Sequence, residues 1–335
     1  MLQVSFLPWV KFDNIIQLGP ITFWPYYEEV SKRITDMAVK GHLDKYFKTH
    51  VDHRGSPVDT ITICSYTGAE FNSLNDTEYG QLRSAVDILV FASIAPQVDR
   101  AVCSNNPSWG PPSADIFELV TQNYEPGDDY FAVKAGSLLS GGLKIGDITF
   151  PQPWAKGGAR ASLDSGLLQG FNAYFSFTYS ADKAERLFRS LEWFRLAHIE
   201  GGDISYFSKL VMMATALESL LQFPPIGKRK YFVDYVEDNI ATNKFLRDTK
   251  TDHKGKSFTY SLAGCWAWDF YELRSAIVHG SHVSAKQLLY KSWITHLIVA
   301  DLVFLEVLNL SFTIKATSTR LLGFDDVHKA LGWIQ

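Results

Sequence analysis

The stretch Tyr271-Glu272-Leu273-Arg274-Ser275-Ala276-Ile277-Val278-His279-Gly280 sets a guanidinium, a hydroxyl and an imidazole at the end of an apolar-periodic segment. Reading back from it, Leu262, Trp266, Phe270, Leu273 and Ile277 recur at the spacing of one buried helical face, so the segment is predicted to be an amphipathic helix that stops at Gly280. A histidine in the last turn feels the negative end of the helix dipole, which favours its protonated form. Arg274 and His279 lie five residues apart and so point roughly 140° away from each other on one helix, whereas Ser275 and His279, four apart, share a face. Glu272 is also near that face, placed either to orient the imidazole or to pair with a surface cation. For Arg274 and His279 to act on one phosphate, the easiest arrangement packs two copies of this helix across a two-fold axis, which makes a homodimer part of the expectation.

A second stretch, Ala216-Leu217-Glu218-Ser219-Leu220-Leu221, carries one carboxylate inside an apolar run that begins at Leu210. A lone carboxylate there is costly unless paired, and Arg274 is the obvious partner from a neighbouring helix. With Tyr-x-Leu before the arginine and Gly after the histidine, the Arg-x4-His stretch resembles the signature of the HEPN superfamily, the higher eukaryote and prokaryote nucleotide-binding helical domains. Leu273 to Gly280 is similar to its Apea-like branch, and Ala216 to Leu221 resembles the Ala-Leu-Glu helix that precedes the Arg/His helix there. The resemblance covers about Ala181 to Phe312.

The resemblance implies a dimeric helical bundle with one of two roles. In one it is an endoribonuclease needing no metal or cofactor, with Arg274, His279 and Ser275 catalytic and Glu218, Tyr271 and Glu272 supporting them. In the other it is a non-catalytic dimerisation and nucleotide- or RNA-binding module, with Arg274 and Glu218 forming a structural bridge. Ser275 stands where the family commonly has Asn, His or Asp. Apea-like domains occur in defence effectors and toxins, which implies regulation by a second domain. In the catalytic case His279 would move a proton to or from the RNA while Arg274 neutralises charge on the phosphorus, leaving a cyclic 2′,3′-phosphate.

Composition bounds the remainder. In 335 residues, 46% hydrophobic and 20% charged side chains are ample for a globular core. A formal net charge of -4 argues against general nucleic-acid coating, so any RNA contact must be local. Two basic clusters are candidates: Lys228, Arg229 and Lys230, and a loop holding Lys244, Arg247, Lys250, Lys254 and Lys256, although a charge run is also how a solvated face reads. Cys64, Cys103 and Cys265 are too far apart for a disulfide framework or a zinc site and read as reduced core residues. His50-Val51-Asp52-His53 and His279-Gly280-Ser281-His282 lack the further ligands a metal needs. Gly136, Gly141, Gly142 and Gly146 lack the Gly-Lys-Ser/Thr ending of a phosphate loop and read as a β-turn region. Met1 to Phe6 shows no secretion signal, and Leu297 to Phe312 carries Asp301 and Glu306 and is too short to span a bilayer. A cytoplasmic protein without a membrane anchor is expected.

The periodicity changes near Thr178, which predicts an α+β fold: a mixed domain over 1–177, of sensory or regulatory role, followed by an all-α domain over 178–335. Within the first, Leu2–Val10 and Ile15–Trp24 read as a hairpin-like strand pair, Glu28–Tyr46 and Glu78–Ala95 as helices, and Thr60–Cys64, Phe117–Val120, Tyr130–Val133 and Ile145–Phe150 as strands. Ser104–Ser113 reads as a loop. In the second, helices are expected at Lys183–His198, Tyr206–Leu221, Arg229–Ile240, Leu262–His279 and Ala285–Phe312. Trp9, Trp24, Tyr26, Tyr27 and Trp109 could stack a nucleobase, though core packing is the expected role for most.

Overall fold

Branched and aromatic residues in short alternating runs build the sheet with which the chain begins. The computed structural model describes residues 2–67, 70–104, 113–127, 130–135, 138–153, 161–175, 180–201, 204–241, 246–291, 294–317 and 328–329. It is a mixed α+β structure. The elements run β1 (Leu2–Leu7), β2 (Ile16–Leu18), β3 (Ile21–Pro25), α1 (Tyr26–Arg33), α2 (Met37–Phe47), β4 (His50–Val51), β5 (Thr62–Tyr66), α3 (Asp76–Ser104), β6 (Val120–Tyr124), β7 (Tyr130–Ala135), β8 (Leu138–Lys144) and β9 (Phe150–Pro151). Then come α4 (Ser165–Phe175), α5 (Ala181–Ala197), α6 (Tyr206–Leu221), α7 (Lys228–Asn239), β10 (Arg247–Thr251), β11 (Ser257–Ser261), α8 (Leu262–Val278), β12 (Leu289–Lys291), β13 (Ile294–Thr295) and α9 (His296–Phe312).

The chain divides into two units that are not consecutive stretches. The first holds Met1–Val90, Ser113–Leu163 and Phe171–Thr178, the second Phe91–Pro112, Asp164–Gly170 and Tyr179–Gln335. The expected boundary near Thr178 therefore coincides with one of several crossings, and α3 and α4 are each shared between the units.

In the first unit a sheet of order β2-β3-β5-β1-β6-β7-β8 pairs neighbours antiparallel. Leu2–Val10 does not pair with Ile15–Trp24 as expected: Ile15–Trp24 folds on itself as the hairpin β2–β3 across the Gly19 turn, and β1 lies between β5 and β6. Glu28–Tyr46 is two helices rather than one, because the Asp36 carboxylate caps α2 by accepting from the N–H groups of Ala38 and Val39. Part of the Phe117–Val120 segment is a 3-10 turn (Ala114–Phe117), Ile145–Phe150 is largely turn, and Gly141 and Gly142 lie in β8 rather than in a turn. Gly136, Trp109 and residues 105–112 of the expected loop lie outside the described residues. Trp9, Trp24 and Tyr26 are buried in the core, and Tyr27 is exposed. His50 is buried against Phe6, Tyr46 and Phe150, and burial pushes its pKa down to about 4. Among the described residues no cluster of His, Cys, Asp or Glu is arranged to hold a metal ion.

The second unit is helical but not all-α, which corrects the expectation for 178–335. The basic loop of Arg247 to Lys256 is a hairpin, β10 against β11, turned at Gly255 with φ +77°. Asp252 fixes that turn by accepting from the N–H groups of Lys254 and Lys256. Ala285–Phe312 is broken into a 3-10 turn (Ala285–Leu288), the pair β12 and β13, and α9, whose start Thr295 caps. Phe91, Phe194 and Phe304 meet at ring separations of 4.9 to 5.5 Å in the core, with Trp266, Phe232 and Phe270 packed together elsewhere in it. Among the described residues no helix is long and apolar enough to cross a membrane.

Candidate functional site

The sequence fixes both ends of α8, and with them the site. At its start the Ser261 hydroxyl accepts from Gly264 N–H at 3.1 Å, and Glu237 of α7 accepts from the Ser261 amide at 3.0 Å and hydroxyl at 2.5 Å. At its end Gly280, with φ +72°, donates to the Ile277 carbonyl at 3.1 Å, and Ser281 donates to the Ala276 carbonyl at 2.9 Å. This is a Schellman closure, which only a residue tolerant of the left-handed region makes without strain. It leaves His279 as an exposed cap at the negative end of the helix, its ring without a hydrogen bond to another described residue. Ser275, one turn back, is half-buried.

Glu218 of α6 is the hub on the other side. Its Oε1 lies 3.1 Å from Arg274 Nη2 and accepts from the Tyr271 hydroxyl at 2.8 Å, while its Oε2 lies 2.5 Å from Lys228 Nζ. The carboxylate side chain is 12% exposed, and three donors offset what would otherwise be an expensive burial. Two cations facing one carboxylate leave this cluster one positive charge in excess. Burial, and then Glu218, raise the pKa of Tyr271, so its hydroxyl is a donor and not a base at neutral pH. Arg274 is 20% exposed at its side chain, and its buried Nε lacks a hydrogen-bond partner among the described residues.

Glu272 is exposed and pairs with Arg229, whose guanidinium lies 3.8 Å from the centre of the Trp268 ring. The basic candidates are less free than their sequence suggests. Lys230 pairs with Asp234, Lys250 lies 2.6 Å from Asp269, and Arg247 lies 3.3 Å from Glu237. Lys256 sits over the Phe258 ring at 4.9 Å, and Lys254 is exposed in the hairpin turn. Lys244 lies outside the described residues. Arg274, Tyr271, Glu218 and Lys228 are therefore brought together, Arg229 and Glu272 form a second pair over Trp268, and Lys230, Lys250 and Arg247 are engaged by carboxylates of their own.

The role of Lys228 at Glu218 was not foreseen, since ten residues and a turn separate them. The signal was present in Gly227, whose φ of +77° starts α7 so that Lys228 can reach back. Asp269 and Glu237 hold the hairpin through Lys250 and Arg247, and Trp268 holds Arg229. No family model, curated protein or solved structure matches the chain.

Proposed function

We propose that the protein is a metal-independent endoribonuclease of HEPN type, acting as a homodimer through Arg274 and His279. The observation that carries this reading is the exposed imidazole of His279 at a helix C-terminus, one turn from the Ser275 hydroxyl and five residues from a guanidinium fixed by Glu218 and Tyr271. His279 takes the proton of an RNA 2′-hydroxyl or gives one to the leaving 5′-oxygen. The 2′-oxygen forms a bond to phosphorus as the bond to the 5′-oxygen breaks. Arg274 stabilises the added charge on the phosphoryl oxygens, and Ser275 donates to one of them. Because the two side chains diverge on a single helix, two copies of α8 across a two-fold axis supply the converging set.

One observation favours a second reading. Arg274 is four-fifths shielded and ion-paired to Glu218, which suits a bridge that holds α6 to α8 in a non-catalytic dimerisation and RNA-binding module. Substrates with a single 2′-deoxy position at the cut separate the two. Under the enzyme reading the all-ribose strand is cut to a cyclic 2′,3′-phosphate and the substituted strand is bound but intact. Binding of both without cutting supports the module.

A further inference from the structure

A solvent-open cleft of about 370 Å³ lies between α5, the end of α6 and the start of α7, on the side of Glu218 that Lys228 occupies. Its cations are Arg186, Arg189 and Lys228. Among the described residues Arg186 pairs with Asp182 and Arg189 with Glu185, carboxylates one turn away on the same helix and 76% and 67% exposed. Such surface pairs contribute little and exchange readily for a better anion. Lys228 shares Glu218 with Arg274, so the cleft and its immediate wall carry four cations against three carboxylates. Ser219 and Gln222 also line it, and neither side chain hydrogen-bonds to another described residue. Lys228 opens α7, whose cap Gly227 has no side chain to satisfy the first-turn N–H groups and whose first turn holds no acidic residue. A helix start of this kind attracts an anion. The ring of Phe223, half-buried, adds an apolar wall.

We propose that this cleft binds a phosphate monoester carrying a flat apolar group. Arg186, Arg189 and Lys228 neutralise the phosphate, Ser219 and Gln222 donate to its oxygens, and Phe223 meets the organic group. The cleft touches the cleavage site only through Glu218, which Lys228 shares with Arg274, and none of its side chains contacts His279.

The test titrates the full chain with phenyl phosphate and with inorganic phosphate, followed by calorimetry. Saturable binding is expected, tighter for phenyl phosphate, weakened about tenfold or more by Arg186→Gln and by Ser219→Ala, and unchanged by His279→Ala. Ser219→Ala, a minimal truncation, keeps the test valid should Arg186→Gln disturb folding. No saturation by about 10 mM phenyl phosphate overturns the site. So does binding that survives both cleft variants, or binding lost in His279→Ala. Competition by a 5′-phosphorylated but not a 5′-hydroxyl oligoribonucleotide supports the site with an RNA end as the ester's source. Competition by a mononucleotide alone supports it with a small molecule as the source.

Discussion

Arg274 Nη2 lies 3.1 Å from Glu218 Oε1, and both side chains are largely shielded from water. One contact thus joins the helix that ends in His279 to a helix far earlier in the chain, and sets the position of the guanidinium before any ligand arrives. Replacing Glu218 by Ala leaves Arg274 and Lys228 facing each other without their counter-ion. A loss of about 1–3 kcal/mol is expected, below the range for fully buried pairs because the cations are partly exposed. Urea unfolding measures it. Adding Arg274→Met to Glu218→Ala recovers part of the loss; strict additivity would show that the two side chains do not interact.

Gly264→Ala tests how α8 is seated. A Cβ at this position would meet Glu237 Oε2 at 2.5 Å, and that oxygen is held by the Ser261 amide and hydroxyl rather than free to swing aside. A loss of roughly 1–3 kcal/mol is expected from overpacking. Gly41→Ala, whose added Cβ would meet nothing within 4 Å, is the matched control and is expected to be neutral or stabilising. Equal midpoints for the two variants would contradict the seating.

Two of the buried histidines, His50 and His296, make a window of acid sensitivity. Burial, and then Lys250, push His296 down to about 4, and burial pushes His50 to about 4, from 6.5 in the unfolded chain. The unfolded chain therefore binds protons that the folded chain refuses. The contribution of these two residues is complete above about pH 6.5 and is lost as pH drops toward 4, by at most roughly 3 kcal/mol per histidine. Thermal midpoints of His296→Phe and His50→Phe measured from pH 7 to 4 are expected to fall less steeply than those of the wild type. Parallel curves would refute this origin.

Much of α8 and its surroundings is legible in sequence because the signals are local. Leu262 to Ile277 carry the apolar period, Ser261 and Gly280 mark the ends, and the apolar run around Glu218 calls for a cation. What was not legible depends on distant pairing. The stretch from Lys244 to Lys256 reads as a charged loop because its partner strand β11 alternates aromatic with hydroxyl side chains rather than apolar with polar, and the support comes from Trp268 on the next helix. Lys250 pairs with Asp269, nineteen residues on, a partner that the linear sequence does not mark. The sharing of α3 and α4 between units was hidden for the same reason, since a continuous helical pattern does not reveal which core each half joins.

Ser275→Ala separates positioning from chemistry at the end of α8. Ser275 is expected to donate one hydrogen bond to a phosphoryl oxygen, so its loss should lower the cleavage rate by about 10- to 100-fold and leave the thermal midpoint within a few degrees. A rate as low as that of His279→Ala would instead make the hydroxyl part of the proton transfer.

The most direct measurement is cleavage of an end-labelled structured RNA in excess EDTA by the wild type, His279→Ala and Arg274→Ala, with fold and dimer mass recorded for each. The ribonuclease reading predicts cutting by the wild-type dimer with cyclic 2′,3′-phosphate ends, and at least a hundredfold loss in a folded, dimeric His279→Ala. A folded wild-type dimer that binds the RNA and leaves it intact, or a His279→Ala variant that cuts at the wild-type rate, would contradict it.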